Sequence, residues 1–152
     1  MFVDICASTE RLADVGDRQW HRTLDDVDSM VQRQVDRSGG RVIKTLGDGA
    51  LLVFDGPSRA IRCAQAIRDG ATAYGLQMRI GVHKGEIELR DDDVAGIAVQ
   101  LAARVASIAG TGEVLVSRTV VDLVAGSGLE LQDRGHHDLK GIDTAWQLFA
   151  AG

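Results

Sequence analysis

The stretch from residue 41 to residue 54 constrains the fold more than any other. Residues 41–46 and 50–54 are short runs dominated by valine, leucine, isoleucine and phenylalanine, and Gly47-Asp48-Gly49 stands between them. Glycine on both sides of an aspartate between two apolar runs is a tight-turn signal, so the segment predicts a β-hairpin. A hairpin is marginal by itself in water and needs further strands or helices on its apolar face. The rest of the chain has to supply them.

It does so in an alternating order. Residues 1–5 read as a short strand ending near Asp4, and Ser8-Thr9-Glu10 signals the start of a short helical segment. Asp17 opens a stronger helix, with Trp20, Leu24, Val27, Val31 and Val35 at three- and four-residue intervals before Gly39-Gly40 stops it. After the hairpin, Asp55-Gly56-Pro57 ends a strand and begins a helix whose apolar stripe is Ala60, Ile61, Ala64, Ile67 and Ala71. Residues 78–83 and 86–89 predict one longer strand region broken at Lys84-Gly85. The acidic run 91–93 is expected to lead into a helix with Ile97, Ala98, Leu101, Val105 and Ile108 buried. A strand at 113–116, a short helix capped by Ser117, and two strands in the tail complete the order.

The expectation is an α+β fold: a ferredoxin-like βαββαβ core with extra C-terminal α/β units, a mainly antiparallel sheet, and helices packed on one face of it. With 152 residues and no linker or repeat, a single domain spanning 1–152 is expected. The abrupt entry into the first strand at Met1 suggests a domain cut from a longer protein.

A net charge of −5 argues against nucleic-acid binding, which needs a basic surface. No apolar run approaches the roughly 18 residues that would cross a bilayer, so no membrane contact is expected within this segment. Cys6 and Cys63 form no CxxC pair and read as reduced thiols of a cytoplasmic protein.

Asp4 ends the first strand and Asp48 sits at the hairpin tip. In a split β-α-β fold these two elements are neighbours, so their carboxylates can converge at one end of the sheet. Hard divalent ions take one or two protein carboxylates and complete their shell with phosphate oxygens and water. The segment Ile5-Cys6-Ala7-Ser8-Thr9 leads into a helix N-terminus, whose free N–H groups favour phosphate. Taken singly, each residue has a simpler reading: Asp48 serves its turn, Asp93 caps a helix, Lys44 is a solvated strand lysine, Arg104 an ion-paired helix arginine, and Lys140 an edge-strand lysine. His21, His83, His136 and His137 read as structural or surface histidines rather than ligands.

Four motifs together resemble the class III adenylyl cyclase catalytic domain. Phe2-Val3-Asp4-Ile5-Cys6-Ala7-Ser8-Thr9 is similar to its metal-binding opening, and Lys44-Thr45-Leu46-Gly47-Asp48-Gly49 to its second metal segment. The stretch from Asp93 to Arg104 resembles its substrate and transition-state helix, and Leu139-Lys140-Gly141 its C-terminal phosphate-holding segment. The resemblance implies that Asp4, Ile5 and Asp48 hold two Mg²⁺ or Mn²⁺ ions. It implies that Lys44 and Asp93 read adenine, that Ser8, Thr9 and Lys140 meet phosphates, and that Gln100 and Arg104 serve catalysis. The family commonly carries asparagine where this chain has Gln100, the same amide one methylene longer. The implied reaction is ATP to cyclic AMP and pyrophosphate in a homodimer whose active sites are shared between subunits. The alternatives are a guanylyl cyclase, a diguanylate cyclase, and a catalytically weak nucleotide-binding module that regulates a partner.

Overall fold

A computed structural model describes residues 1–152. Nine strands and five α-helices follow one another as β1 (Phe2–Ile5), α1 (Ser8–Val15), α2 (Asp17–Arg37), β2 (Gly40–Thr45), β3 (Gly49–Phe54), α3 (Pro57–Ala71), β4 (Met78–Val82), β5 (Glu88–Arg90), β6 (Asp93–Ala95), α4 (Ile97–Ile108), β7 (Val114–Ser117), α5 (Arg118–Leu123), β8 (Leu131–Asp138) and β9 (Ala145–Ala151). Seven strands form one sheet in the order β2-β3-β1-β4-β7-β9-β8. Every pairing in it is antiparallel except β4–β7. The expected α+β class, with a mostly antiparallel sheet, is the class observed.

Successive strand residues point to opposite faces, and the sequence uses this period strictly. Val3 and Ile5, Ala50 and Leu52, Ile80 and Val82, and Val114 and Val116 all enter one core with the apolar stripes of α2 and α3. Leu115, Leu148 and Ala150 point the other way, into a second cluster with Val105 and Ala109 at the C-terminal end of α4. The helices therefore lie on both faces of the sheet, not on one. Gly81 explains why α4 fits where it does: a Cβ there would stand 2.2 Å from the amide nitrogen of Ala106 and 2.6 Å from the carbonyl oxygen of Ala102. Only glycine lets helix backbone press that closely on strand backbone.

Five local expectations are corrected. Residues 86–89 do not prolong the central strand; Glu88–Arg90 turns back on Asp93–Ala95 as a separate two-stranded sheet. Asp93 consequently lies in β6 and caps no helix, because α4 starts at Ile97 after Gly96 at φ 126°. Ile97, expected in the buried stripe, is 61% exposed, whereas its neighbour Ala98 in the same turn is buried. Ser117 occupies the N-cap of α5, but its side chain makes no cap; the hydroxyl bonds Nδ1 of His83 at 2.7 Å across the β4–β7 pair. Lys140 stands in the turn between β8 and β9, not on an edge strand. No helix is long and apolar enough to cross a membrane.

Candidate active site

β1 lies between β3 and β4, and its register sets Asp4 opposite Gly49 on one side and Arg79 on the other. Val3 and Ile5 are buried in the core under α2 and α3, so alternation turns Asp4 to the face that carries α4. Gly49 is required at this point, since a Cβ there would come 2.6 Å from the carbonyl oxygen of Val3. The hairpin thereby closes on β1, and the Ile5 N–H donates to the main-chain carbonyl of Asp48 at 2.9 Å. Gly47, at φ 71°, makes the turn that places Asp48 at the tip. The two carboxylates that sequence reasoning paired are thus brought to one end of the sheet.

Each carboxylate is held through one oxygen. Nε of Arg79 donates to Oδ2 of Asp4 at 2.7 Å, and Nη2 stands at ion-pair distance, 2.6 Å, from the same oxygen. The Ser8 hydroxyl donates to Oδ2 of Asp48. Neither Oδ1 has a hydrogen-bond partner within the chain. Ser8 opens α1, whose N-cap is Ala7 with no side-chain cap, so the first-turn N–H groups remain unclaimed by side chains. Thr9 is exposed on that same turn. The side chain of Ile5 is buried in the core, which leaves only its main chain to face the site.

Arg79 was missed by the sequence reading. The available signal was a charged residue inside Met78-Arg79-Ile80-Gly81-Val82, an otherwise apolar central strand. A guanidinium there needs a partner on the sheet face, and across β1 the partner is Asp4.

A second group lies on the hairpin's other strand and the small sheet. Lys44 Nζ donates to Oδ2 of Asp93 at 2.9 Å, and Oδ1 of Asp93 accepts from the Val94 N–H at 2.8 Å. The Lys44 hydrogen bond, followed by that of Val94, holds the Asp93 carboxyl below the usual carboxylate range. Gln100 and Arg104 stand one turn apart on the exposed side of α4, and neither Arg104 nor Lys140 has an ion-pair partner within the chain. No hydrogen bond or ion pair joins this group to Asp4, Asp48 and Ser8. Among the predicted residues only two side-chain pairs form, Ser8 with Asp48 and Lys44 with Asp93.

The donor set at Asp4 and Asp48 suits a hard divalent ion. Two carboxylates with a free oxygen each, beside the main chain of Ile5, supply oxygen ligands only, and phosphate and water would complete the shell. No group of three or more histidine, cysteine or acidic side chains converges anywhere in the chain, so a cage made wholly of such side chains is absent.

Similarity to known proteins runs along nearly the whole chain. Residues 1–150 match the family described as the adenylate and guanylate cyclase catalytic domain. The chain is 33% identical over 113 residues, 68% of its length, to a Rhizobium meliloti (strain 1021) protein named as a candidate adenylate cyclase, and covers 19% of that protein. It is 31% identical over 125 residues to an uncharacterised Mycobacterium tuberculosis protein, covering 81% of this chain and 33% of the other. It thus spans between a fifth and a third of the length of these curated relatives. Among solved structures, the adenylyl cyclase CyaB from P. aeruginosa superposes with a TM-score of 0.86 at 20% identity, covering 99% of this chain and 91% of that one. The catalytic core of a rhodopsin-guanylyl cyclase with converted specificity, in complex with ATPαS, gives 0.90 at 22% identity, covering 99% and 91%. The fold, and a family match that takes in both carboxylates and the Lys44–Asp93 pair, lead to one assignment: this chain belongs to the adenylate and guanylate cyclase catalytic-domain family.

Proposed function

We propose that the chain is an adenylyl cyclase that converts ATP to 3′,5′-cyclic AMP and pyrophosphate in a homodimer, with two Mg²⁺ or Mn²⁺ ions. The observation that carries the choice of ATP is the Lys44–Asp93 pair, a donor and an acceptor fixed side by side at 2.9 Å. Adenine offers a ring nitrogen that accepts and an exocyclic amino group that donates, so Lys44 and Asp93 match it. Guanine presents the reverse pattern at these edges. A site built on such pairs discriminates steeply, because the wrong base leaves polar groups unpaired.

Asp4, Asp48 and the main chain of Ile5 would hold the ions, whose contribution when bound is to neutralise phosphate charge and ease ionisation of the ribose 3′-hydroxyl. Ser8, Thr9 and Lys140 bind phosphate oxygens. Gln100 orients the ribose through its amide. Arg104 stabilises the charge that gathers on the α-phosphate as the 3′-oxygen bonds to it and the bond to pyrophosphate breaks.

Sharing of each site between two subunits is supported by the absence of any hydrogen bond or ion pair between the Ser8–Asp48 and Lys44–Asp93 pairs within one chain. Leu46, Ile87, Leu89 and Ile97 are also large exposed apolar residues, on the β2 end, the small sheet and the start of α4. Apolar surface of this kind, rimmed by charge, suits a partner copy. One chain carries both pairs, so a symmetric dimer forms two equivalent sites.

The test is cyclic nucleotide production from ATP and GTP in Mn²⁺, comparing wild type, Asp48→Ala and Lys44→Glu over a dilution series. Cyclic AMP from ATP should fall at least about 100-fold in Asp48→Ala. Lys44→Glu should lose ATP preference, and specific activity should drop as the dimer dissociates. Constant specific activity across dissociation overturns the shared site. ATP binding without product would favour a regulatory nucleotide-binding module instead, the reading to which Gln100 lends weight.

A further inference from the structure

The arginine on β4 occupies the same carboxylate that the metal reading needs. Asp4 and Arg79 are register partners on the α4 face, and two guanidinium nitrogens crowd a single oxygen, Oδ2: Nε donates to it at 2.7 Å and Nη2 lies 2.6 Å away as an ion pair. A guanidinium seated on one oxygen leaves it little capacity for another cation, while Oδ1 of Asp4 remains open. Asp48 repeats the arrangement in weaker form, with Oδ2 accepting from the neutral Ser8 hydroxyl and Oδ1 open. The pair therefore offers one free oxygen from each carboxylate, and further coordination by Asp4 has to displace a bound cation. The Asp4 side chain is 28% exposed and that of Arg79 42%, so the competition takes place where water screens charge only in part.

We propose that Arg79 is a counter-cation that competes with divalent ions for Asp4 and keeps ion binding at the Asp4–Asp48 pair weak. Arg79 is in this sense a positioning residue: it acts through Asp4. Two effects add. An ion that engages Oδ2 must break a charge-assisted hydrogen bond within a close ion pair. An ion at either oxygen also feels the positive charge of the guanidinium beside it. The sheet enforces both, because register holds Arg79 across from Asp4 whatever its side chain does. A guanidinium displaced from Oδ2 stays beside the carboxylates, with its donors available to an anion.

The inference rests on the reading of Asp4 and Asp48 as ion ligands, and the experiment separates the two. Mn²⁺ alone, with no nucleotide, is titrated into the whole chain, and free Mn²⁺ is followed by its electron paramagnetic resonance signal. The proteins are wild type, Asp48→Asn, Arg79→Met and Arg79→Lys. Arg79→Met keeps the apolar stem and removes the charge, whereas Arg79→Lys keeps a charge but replaces the planar guanidinium by a compact ammonium. Wild type should show a weak site that Asp48→Asn abolishes. Arg79→Met should bind Mn²⁺ about three- to tenfold more tightly, and Arg79→Lys should fall between. Thermal unfolding of each variant checks that it is folded, and Arg79→Lys carries the test if Arg79→Met is not. An Asp48-dependent site that is no tighter in either variant overturns the role of Arg79 and leaves the metal reading standing. Absence of any Asp48-dependent site in wild type overturns both.

Discussion

Under α2 and α3 the sheet is sealed by one core of 26 buried residues, whereas the buried cluster under α4 numbers five. The sealed face is aliphatic almost throughout, and no candidate site side chain except that of Ile5 belongs to it. The α4 face carries Asp4 and Arg79 along the same strands, at alternate positions. It is the comparison between these two faces that separates the sources of stability from the candidate chemistry. A face that must bury apolar area cannot also hold carboxylates open to ions, since an unpaired buried charge costs several kcal/mol. Period-two alternation lets one short strand such as Phe2-Val3-Asp4-Ile5 serve both purposes.

The comparison is sharpened first on the sealed face. Ile67 is fully buried there, and Ile67→Ala should cost about 3–4 kcal/mol, read as a fall in Tm of about 10 °C. Cyclase activity per folded molecule should stay within about twofold of wild type. If activity collapses while the variant remains folded, the division between the faces is wrong.

A smaller loss of stability, with a larger loss of activity, is expected at the seam of the α4 face. Gly81→Ala drives a methyl group into the backbone of α4 at Ala102 and Ala106, and the helix has to shift. The stability cost should be about 1–3 kcal/mol. Because α4 carries Gln100 and Arg104, turnover should fall by about tenfold or more. A variant that unfolds more easily yet turns over normally would show that the seat of α4 does not position those side chains.

The smallest effect lies in the row formed by His83, Ser117 and Trp146. The His83 ring meets Trp146 edge-on at 5.3 Å, and burial pushes the imidazole below its ordinary 6.5. A base whose folded pKa is lowered binds protons more readily when unfolded. Its contribution is therefore intact above pH 6.5 and is lost as the pH falls below it toward the folded value. The ring is partly exposed, so screening limits the loss to a few tenths of a kcal/mol, roughly. The informative quantity is the difference between wild type and His83→Asn. Between pH 7.5 and 5.5 the variant should lose slightly less Tm than wild type. Equal losses would show that the ring contributes nothing to the acid sensitivity of this face.

Much of this architecture was legible in the chain because local rules and tertiary structure agree. The stripes of α2 and α3, the Gly47-Asp48-Gly49 turn and the strand alternation are short-range patterns, and each appears where the pattern put it. Reading failed where a segment had weak local preference and distant contacts decided. Residues 88–95 are too short and too mixed in character to show that they fold back on themselves, and it is this excursion that carries Asp93 to Lys44. The face chosen by α4 depends on Gly81, a residue unremarkable in the strand until the helix backbone lies against it.

The sequence by itself determined the elements, the hairpin and the period that splits each central strand between a core face and an open face. Those follow from the steric and solvation preferences of consecutive residues. Only the tertiary structure decided that Arg79 faces Asp4 and that Lys44 meets Asp93. Strand register and the return of a distant hairpin create these pairings, and neither is encoded in the neighbours of the residues concerned.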